Sequence, residues 1–263
     1  MKVFRLFSPD QLHYKMNFII LSFLLLFSGL NDNPLSFKTK QMNFTRVREA
    51  YAEKEKTVAK TLLANSISRD SLQIYLRAFK TEKVIELWAK NITEKKFKLI
   101  KEFPICEISG NIGPKRRSGD LQVPEGFYYI NDLNPFSKYH LSMQINYPNA
   151  SDSICGVKGR LGNLIFIHGA CESSGCIAIT DDKIKELYLY YVEALNSGQQ
   201  NVEITIYPAK LSEKVFTKLT ASYSKDKDKI RLWTDLKKSY DFFEQQQQPA
   251  KVKFLGDGSH KIN

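Results

Sequence analysis

Apolar and polar positions alternate with a period of two from Leu72. Leu72, Ile74 and Leu76 fall on one side, and Gln73, Tyr75 and Arg77 on the other. That period predicts a half-buried strand. After the polar turn Lys80-Thr81-Glu82-Lys83 come Val84, Ile85, Leu87 and Trp88, and then Phe97, Leu99 and Phe103 with lysines on the opposite face. Runs of this kind joined by short polar turns predict antiparallel pairing. Phe127 to Ile130 and His140 to Tyr147 continue the strand pattern. Leu164 to Ile167 is an uninterrupted apolar run and reads as a buried strand. Val202, Ile204 and Ile206 alternate with Glu203, Thr205 and Tyr207 in a closing strand that ends at Pro208.

The period changes to that of a helix at Ile184, Leu187, Tyr188, Tyr191, Val192 and Leu195, which form one apolar stripe. Thr180 is the expected cap, Asp181 and Asp182 suit the positive end, and Gly198 is the expected stop. A weaker helical pattern covers Phe44 to Ser66, and another covers Lys229 to Gln247, followed by a flexible-looking tail. Residues 31–43 read as a polar, irregular tether. Residues 110–126, with their glycine and proline clusters, read as a long functional loop. These elements predict a mainly β fold with added α: a β-sandwich or partly closed barrel, one helix behind it, and helical additions at both ends. The expected divisions are 1–30, an export segment; 31–71, linker and helix; 72–208, the catalytic domain; and 209–263, a helical appendage and tail.

Candidate chemistry lies where the Leu164 strand ends. His168 closes that strand, and the small residues Gly169, Ala170, Ser173, Ser174 and Gly175 lead to Cys176. A thiol becomes a nucleophile on losing its proton, and a nearby imidazole can take it. N–H groups beside a glycine can hold an oxyanion. Cys176 is therefore the candidate nucleophile and His168 the candidate base. Gly175 is the oxyanion candidate, and Ser173 and Ser174 are candidate substrate contacts that turn chemistry explains equally well. A positive helix end after Cys176 would favour its thiolate if the axis points at it. Cys171 is the rival nucleophile but lacks a preceding glycine. A zinc site of His168, Cys171 and Cys176 matches no standard spacing.

The pattern Ile-His-Gly at 167–169, followed by Ser174-Gly175-Cys176, resembles the signature of the YkuD-type L,D-transpeptidases. Cys171 and the run Gly175-Cys176-Ile177-Ala178-Ile179-Thr180-Asp181 resemble the YafK-like branch. The likeness extends through Pro104-Ile105-Cys106, Ser109-Gly110, Gly113-Pro114-Lys115, Gly119-Asp120, Pro124 to Tyr128, Tyr139 to Ser142 and Asn146 to Asn149. It covers about residues 72 to 208. It implies a β-rich fold and a cysteine enzyme acting through a thioacyl intermediate on the diaminopimelate-containing stem of peptidoglycan, without a cofactor or metal. It also implies that a backbone carbonyl of the histidine loop, with Gly169 the nearest candidate, orients the imidazole. The long loop and second histidine of the broader family are missing, since Ser174 stands at that place. This departure should reshape the acyl and acceptor sites while leaving thiolate attack intact. Transfer to a second stem is the expected reaction, with hydrolysis at the same site (carboxypeptidase or amidase) the alternative. A non-catalytic cell-wall binding module is a third reading.

The charge of +11 and pI near 9.3 imply an anionic environment. No arginine-rich block or stacking ladder accompanies that charge, so nucleic acid is not an expected partner. Arg116 and Arg117, beside Lys115, are candidates for stem carboxylates, although an ordinary solvated basic loop explains them better. The apolar run Phe18 to Phe27, followed by Ser28-Gly29, reads as a signal peptide, with an uncleaved anchor as the alternative. Either reading places the fold in the periplasm or envelope of a bacterium, with any membrane association through this segment. Met16 is an alternative start. Sequence does not choose a pair among Cys106, Cys155 and Cys171, and no obligatory disulfide is expected.

Overall fold

The computed structural model describes residues 36–263. The export segment lies outside them. Two helices come first, α1 (Phe37–Gln41) and α2 (Thr45–Ala64). They are followed by β1 (Leu72–Phe79), β2 (Val84–Asn91), β3 (Lys98–Pro104), β4 (Glu107–Ile108), β5 (Gly126–Asn134) and β6 (Ser142–Ile145). Next come α3 (Ala150–Cys155), β7 (Ile165–His168), β8 (Ile177–Ala178), α4 (Asp181–Asn196) and β9 (Val202–Tyr207). The chain ends with α5 (Glu213–Ser222), α6 (Lys227–Gln246) and the hairpin β10 (Val252–Phe254) and β11 (His260–Ile262).

Nine strands form one mixed sheet in the order β3-β2-β1-β9-β5-β6-β7-β8-β4, bent into a half-barrel. Most neighbours are antiparallel, while β1 with β9 and β7 with β8 are parallel. The parallel pairs need crossovers. α4 connects β8 to β9 across the sheet. One sheet face carries Ile74, Leu76, Ile130, Ile145, Ile167, Ile177 and Ile204, all buried with Leu187, Tyr188 and Val192 of α4. Val47, Ala50, Val58 and Leu62 of α2 extend the same core. The opposite face carries Phe79, Phe127 and Tyr207, which pack with Leu232, Trp233 and Leu236 of α6. Burying such large side chains stabilises by about 1.5–3 kcal/mol each, so α6 is held to the sheet by its own core.

Several expectations are corrected. The supposed tether contains α1, capped by the Ser36 hydroxyl accepting from the Thr39 N–H. Its Phe37 ring meets Tyr191 edge-on at 6.5 Å. The flexible-looking tail is the β10–β11 hairpin. The supposed strand from His140 is shorter, Ser142 to Ile145, because His140 has a left-handed φ of 71°. Thr180 does not cap α4 with its side chain; its φ is 69° and its hydroxyl makes no cap bond. The far end behaves as expected. Gly198 has φ 99°, its N–H donates to Leu195 O, and Gln199 N–H donates to Ala194 O. This is the paired closure that a left-handed glycine permits. Among the described residues no helix is long and apolar enough to cross a membrane.

Candidate active site

The parallel register of β7 and β8 brings the histidine and cysteine together. Ile167 pairs with Ile177 and His168 with Ala178. Both isoleucines enter the core, so the alternation of a strand turns His168 and Cys176 to the opposite face. They are diagonal neighbours, two positions apart in the register.

His168 is 1% exposed and its ring stacks on Tyr139 at 4.5 Å. Its Nδ1 lies 2.6 Å from Gly169 O. A carbonyl can only accept, so Nδ1 carries the proton and the neutral ring keeps Nε2 free as a base. Gly169 is therefore the orienting group, as the resemblance implied. A Cβ on Gly169 would lie 2.5 Å from Asp181 Oδ1 and 2.7 Å from Tyr139 O, so no other residue fits there. Burial lowers the His168 pKa, against the opposing pull of the Gly169 carbonyl.

Cys176 is half-buried, and its Sγ lies 3.9 Å from Leu164 O. Burial raises its pKa above the ordinary thiol value, although the Phe166 N–H and the Lys115 charge pull the other way. Both shifts disfavour a thiolate–imidazolium pair. The α4 helix starts five residues after Cys176, and its Asp181 carboxylate accepts from Ala170 N–H in the histidine loop. Alkylation of Cys176 by iodoacetamide should accordingly be slow at neutral pH and accelerate only in more alkaline solution than an ordinary thiol needs. A rate already at its plateau by neutral pH would show a preformed ion pair instead.

Two tethers hold the loop between His168 and Cys176. Contrary to expectation, Cys106 and Cys171 form a disulfide, with Cα atoms 5.7 Å apart, and this removes Cys171 as nucleophile or metal ligand. The pairing is possible because β4 lies against β8, a contact of two short strands with no readable period. Among the described residues Cys155 and Cys176 are free thiols. The second tether is Ser109, whose Oγ accepts from Gly175 N–H at 2.6 Å and donates to Leu121 O. Ser173 joins it at 3.0 Å and donates to Cys176 O at 2.8 Å. Ser173 is thus placed to order the loop, while Ser174 is exposed and its side chain makes no hydrogen bond among the described residues. Gly175 has φ 112°, a conformation that favours glycine, and its N–H is already engaged. Replacing Cys106 and Cys171 by serine should cost about 2–4 kcal/mol, the usual contribution of a disulfide closing a loop of this size. The melting temperature, read by differential scanning fluorimetry, should fall by roughly 5–15 °C; an unchanged value would show that the bridge adds nothing.

The loop 110–126 is anchored from beneath. Lys80 is buried, and its Nζ donates to the carbonyls of Asn111, Gly113 and Val123 while pairing with Glu125 at 2.9 Å. Glu125 also accepts from Gly113 N–H and from the Trp233 indole at 2.7 Å each. Arg116, expected to be free for substrate, is instead clamped by Asp228 at 2.8 and 3.1 Å and by Asp152 at 3.2 Å. Lys115 is buried against Asp120 at 2.5 Å. Arg117 stays exposed, with no ion pair among the described residues. Sequence reasoning missed Ser109, Tyr139 and the Lys80–Glu125 pair. Their partners are distant in the chain; Ser109, Glu125 and Tyr139 fell within the quoted motifs and Lys80 within a polar turn, with nothing local to show what each would meet.

Residues 75–203 match the YkuD profile, the L,D-transpeptidase catalytic domain. The protein named "Putative L,D-transpeptidase YafK" of Escherichia coli (strain K12) is 37% identical over 181 residues, covering 68% of this chain and 70% of that protein. The chain belongs to the YkuD L,D-transpeptidase family. Membership makes it an enzyme of the L,D-transpeptidase type, with peptidoglycan as substrate and the cell envelope as its place of action. Two solved structures share lower similarity. The helical cell shape determining protein Pgp2 of Campylobacter jejuni is 20% identical with a TM-score of 0.43, covering 71% of this chain and 74% of Pgp2. Bd1075 of Bdellovibrio bacteriovorus is 18% identical with a TM-score of 0.40, covering 71% and 76%.

Proposed function

We propose that the protein is a cysteine acyltransferase acting at the diaminopimelate centre of a peptidoglycan stem. The observation that carries this reading is the shared sheet face of His168 and Cys176, with Gly169 O fixing the imidazole so that Nε2 is free. His168 Nε2 takes the thiol proton as sulfur attacks the amide carbonyl. The N–H of Cys176 holds the resulting oxyanion. Gly175 N–H can join only by exchanging its bond to Ser109, so Gly175 contributes chiefly the space for a close approach. Collapse of the tetrahedral state breaks the C–N bond, and the amine leaves with the proton from His168. A thioester remains on Cys176. The amine of a second stem attacks it and restores the thiol.

Hydrolysis of that thioester is the second reading. Only residues 169–175 separate the histidine from the cysteine, and the disulfide ties them down. Such a short loop would leave the acyl sulfur open to water. Export through residues 1–30 belongs to the same reading. The test is mass spectrometry of disaccharide-tetrapeptide muropeptides incubated with the full chain. A cross-linked dimer or an exchanged terminal residue means transfer. A tripeptide product, or an amine freed with water added, means hydrolysis. Absence of any product would overturn both.

A further inference from the structure

On the sheet face that carries Cys176, the registers line up a row of side chains leading away from the thiol. Cys176 precedes Ile177, which pairs with Ile167, so Cys176 lies beside Phe166. Phe166 pairs with Gln144 on β6. Asn146, two residues further along β6, accepts Tyr129 N–H through its Oδ1 at 2.8 Å, and Tyr129 pairs with Glu203 on β9. The row crosses four strand spacings, about 19 Å.

At its far end the row opens into a cavity of about 330 Å³, roofed by Pro249 to Val252 before and within the C-terminal hairpin. A second cavity of about 320 Å³ adjoins it and shares Tyr75, Glu203 and Pro249. The groups left free there are a phenol, several amides and one carboxylate. Tyr129 is 40% exposed, and its hydroxyl makes no hydrogen bond among the described residues. Glu203 is exposed into the groove and, among the described residues, has no hydrogen bond or ion pair given; desolvation by its surroundings raises its carboxyl pKa. Asn146 has its amide nitrogen to spare, and Asn201 and Gln73 line the adjoining cavity.

We propose that this groove binds a carbohydrate, an N-acetylated glycan strand, and so holds the sugar end of the substrate while its peptide reaches Cys176. An aromatic face with neutral amides and one carboxylate acceptor suits a neutral, hydroxyl-rich ligand. Tyr129 offers a flat apolar surface for the C–H face of a sugar ring. Glu203 and the amides offer acceptors and donors for hydroxyl and acetamido groups. On a chain of net charge +11 the first cavity has Lys251 as the single cation among its lining residues, which disfavours an anionic ligand. Lengths agree as well. Three or four extended stem residues span roughly 10–14 Å, leaving the rest of the row for the sugar. The assignment rests on the stem-peptide reading only for that length.

Direct binding tests the groove apart from catalysis. Titration of the full chain with chitotetraose, a neutral N-acetylglucosamine tetramer, should give saturable calorimetric binding. Tyr129→Ala and Glu203→Gln should each weaken it about 5–10-fold, the loss of one stacking or charge-assisted contact. Absence of binding, or equal binding by wild type and both variants, would overturn the assignment. So would saturable binding by an acidic peptide in place of the sugar. Kinetics gives a second reading. The kcat/KM of the glycan-linked tetrapeptide relative to the free tetrapeptide should exceed about 10 in wild type and fall towards 1 in Tyr129→Ala. A ratio near 1 in wild type would contradict the proposal. Turnover of neither substrate would count against the stem-peptide reading, while the chitotetraose result still decides the groove.

Discussion

Replacing Cys176 by alanine should abolish turnover, with a loss of at least about 10⁴-fold, the scale seen when a covalent nucleophile is removed. The size follows from the mechanism. Without sulfur no thioester can form, and His168 alone can only offer its Nε2 to water. Stability should scarcely change, because the thiol is half-buried and its polar contacts are weak, a 3.9 Å approach to Leu164 O beside the Phe166 N–H. A melting temperature within a few degrees of wild type would separate lost chemistry from lost fold. Cys155 supplies the control. It is the other free thiol, and its Sγ lies 2.9 Å from Arg231 Nη2, on a different part of the structure. Cys155→Ala should leave turnover within about twofold, as expected of a residue outside a catalytic unit. Residual activity within tenfold of wild type in Cys176→Ala would remove the cysteine from the mechanism.

Breaking the Lys80–Glu125 pair should be the largest stability effect. Both side chains are almost wholly inaccessible, at 5% and 0% exposure. Removing one partner of such a pair leaves the other charge buried and uncompensated, at a cost of about 3–5 kcal/mol. Glu125→Ala also strips the acceptor from Gly113 N–H and from the Trp233 indole. Lys80→Met leaves three loop carbonyls without their common donor. Either variant should lower the melting temperature by roughly 6–20 °C for a chain of this size. Activity should fall with it, because the same loop carries Leu121 and Gln122 against the Ser109–Gly175 contact. The double variant Lys80→Met/Glu125→Leu should recover part of the loss, since an apolar pair of similar volume no longer buries a lone charge. Single variants that melt with wild type would show that the pair does not anchor the loop.

The parts of this fold that were legible in the sequence are those with a period. β1, β2, β9 and α4 alternate or stripe over six or more residues, and each lies close to where its pattern places it. The short strands β4 and β8 carry two residues apiece and have no period to read. Their pairing depends on tertiary contact, and with it the Cys106–Cys171 bridge escaped notice. The tail failed for a similar reason. β10 and β11 are three residues each, and the hairpin gains its stability by resting on the core beside Trp233 rather than from local preference.

The site divides along the same line. His168, Gly169 and Cys176 stand within nine residues of one another and announce their chemistry by type and spacing. Arg116 announced a charge but not its partner, since Asp228 lies 112 positions away. Ser109 reaches Gly175 across 66 positions. A sequence shows which residues can form an ion pair or hydrogen bond; the fold decides which of them meet.

The most direct measurement is intact-protein mass spectrometry of the full chain, quenched in acid during turnover of a disaccharide-tetrapeptide, with peptide mapping of any adduct. The account predicts an acyl adduct equal to the substrate less its leaving amine, mapped to Cys176 and missing from Cys176→Ala. Turnover that proceeds with no adduct accumulating under any quench, or an adduct mapped to Cys155, would contradict it.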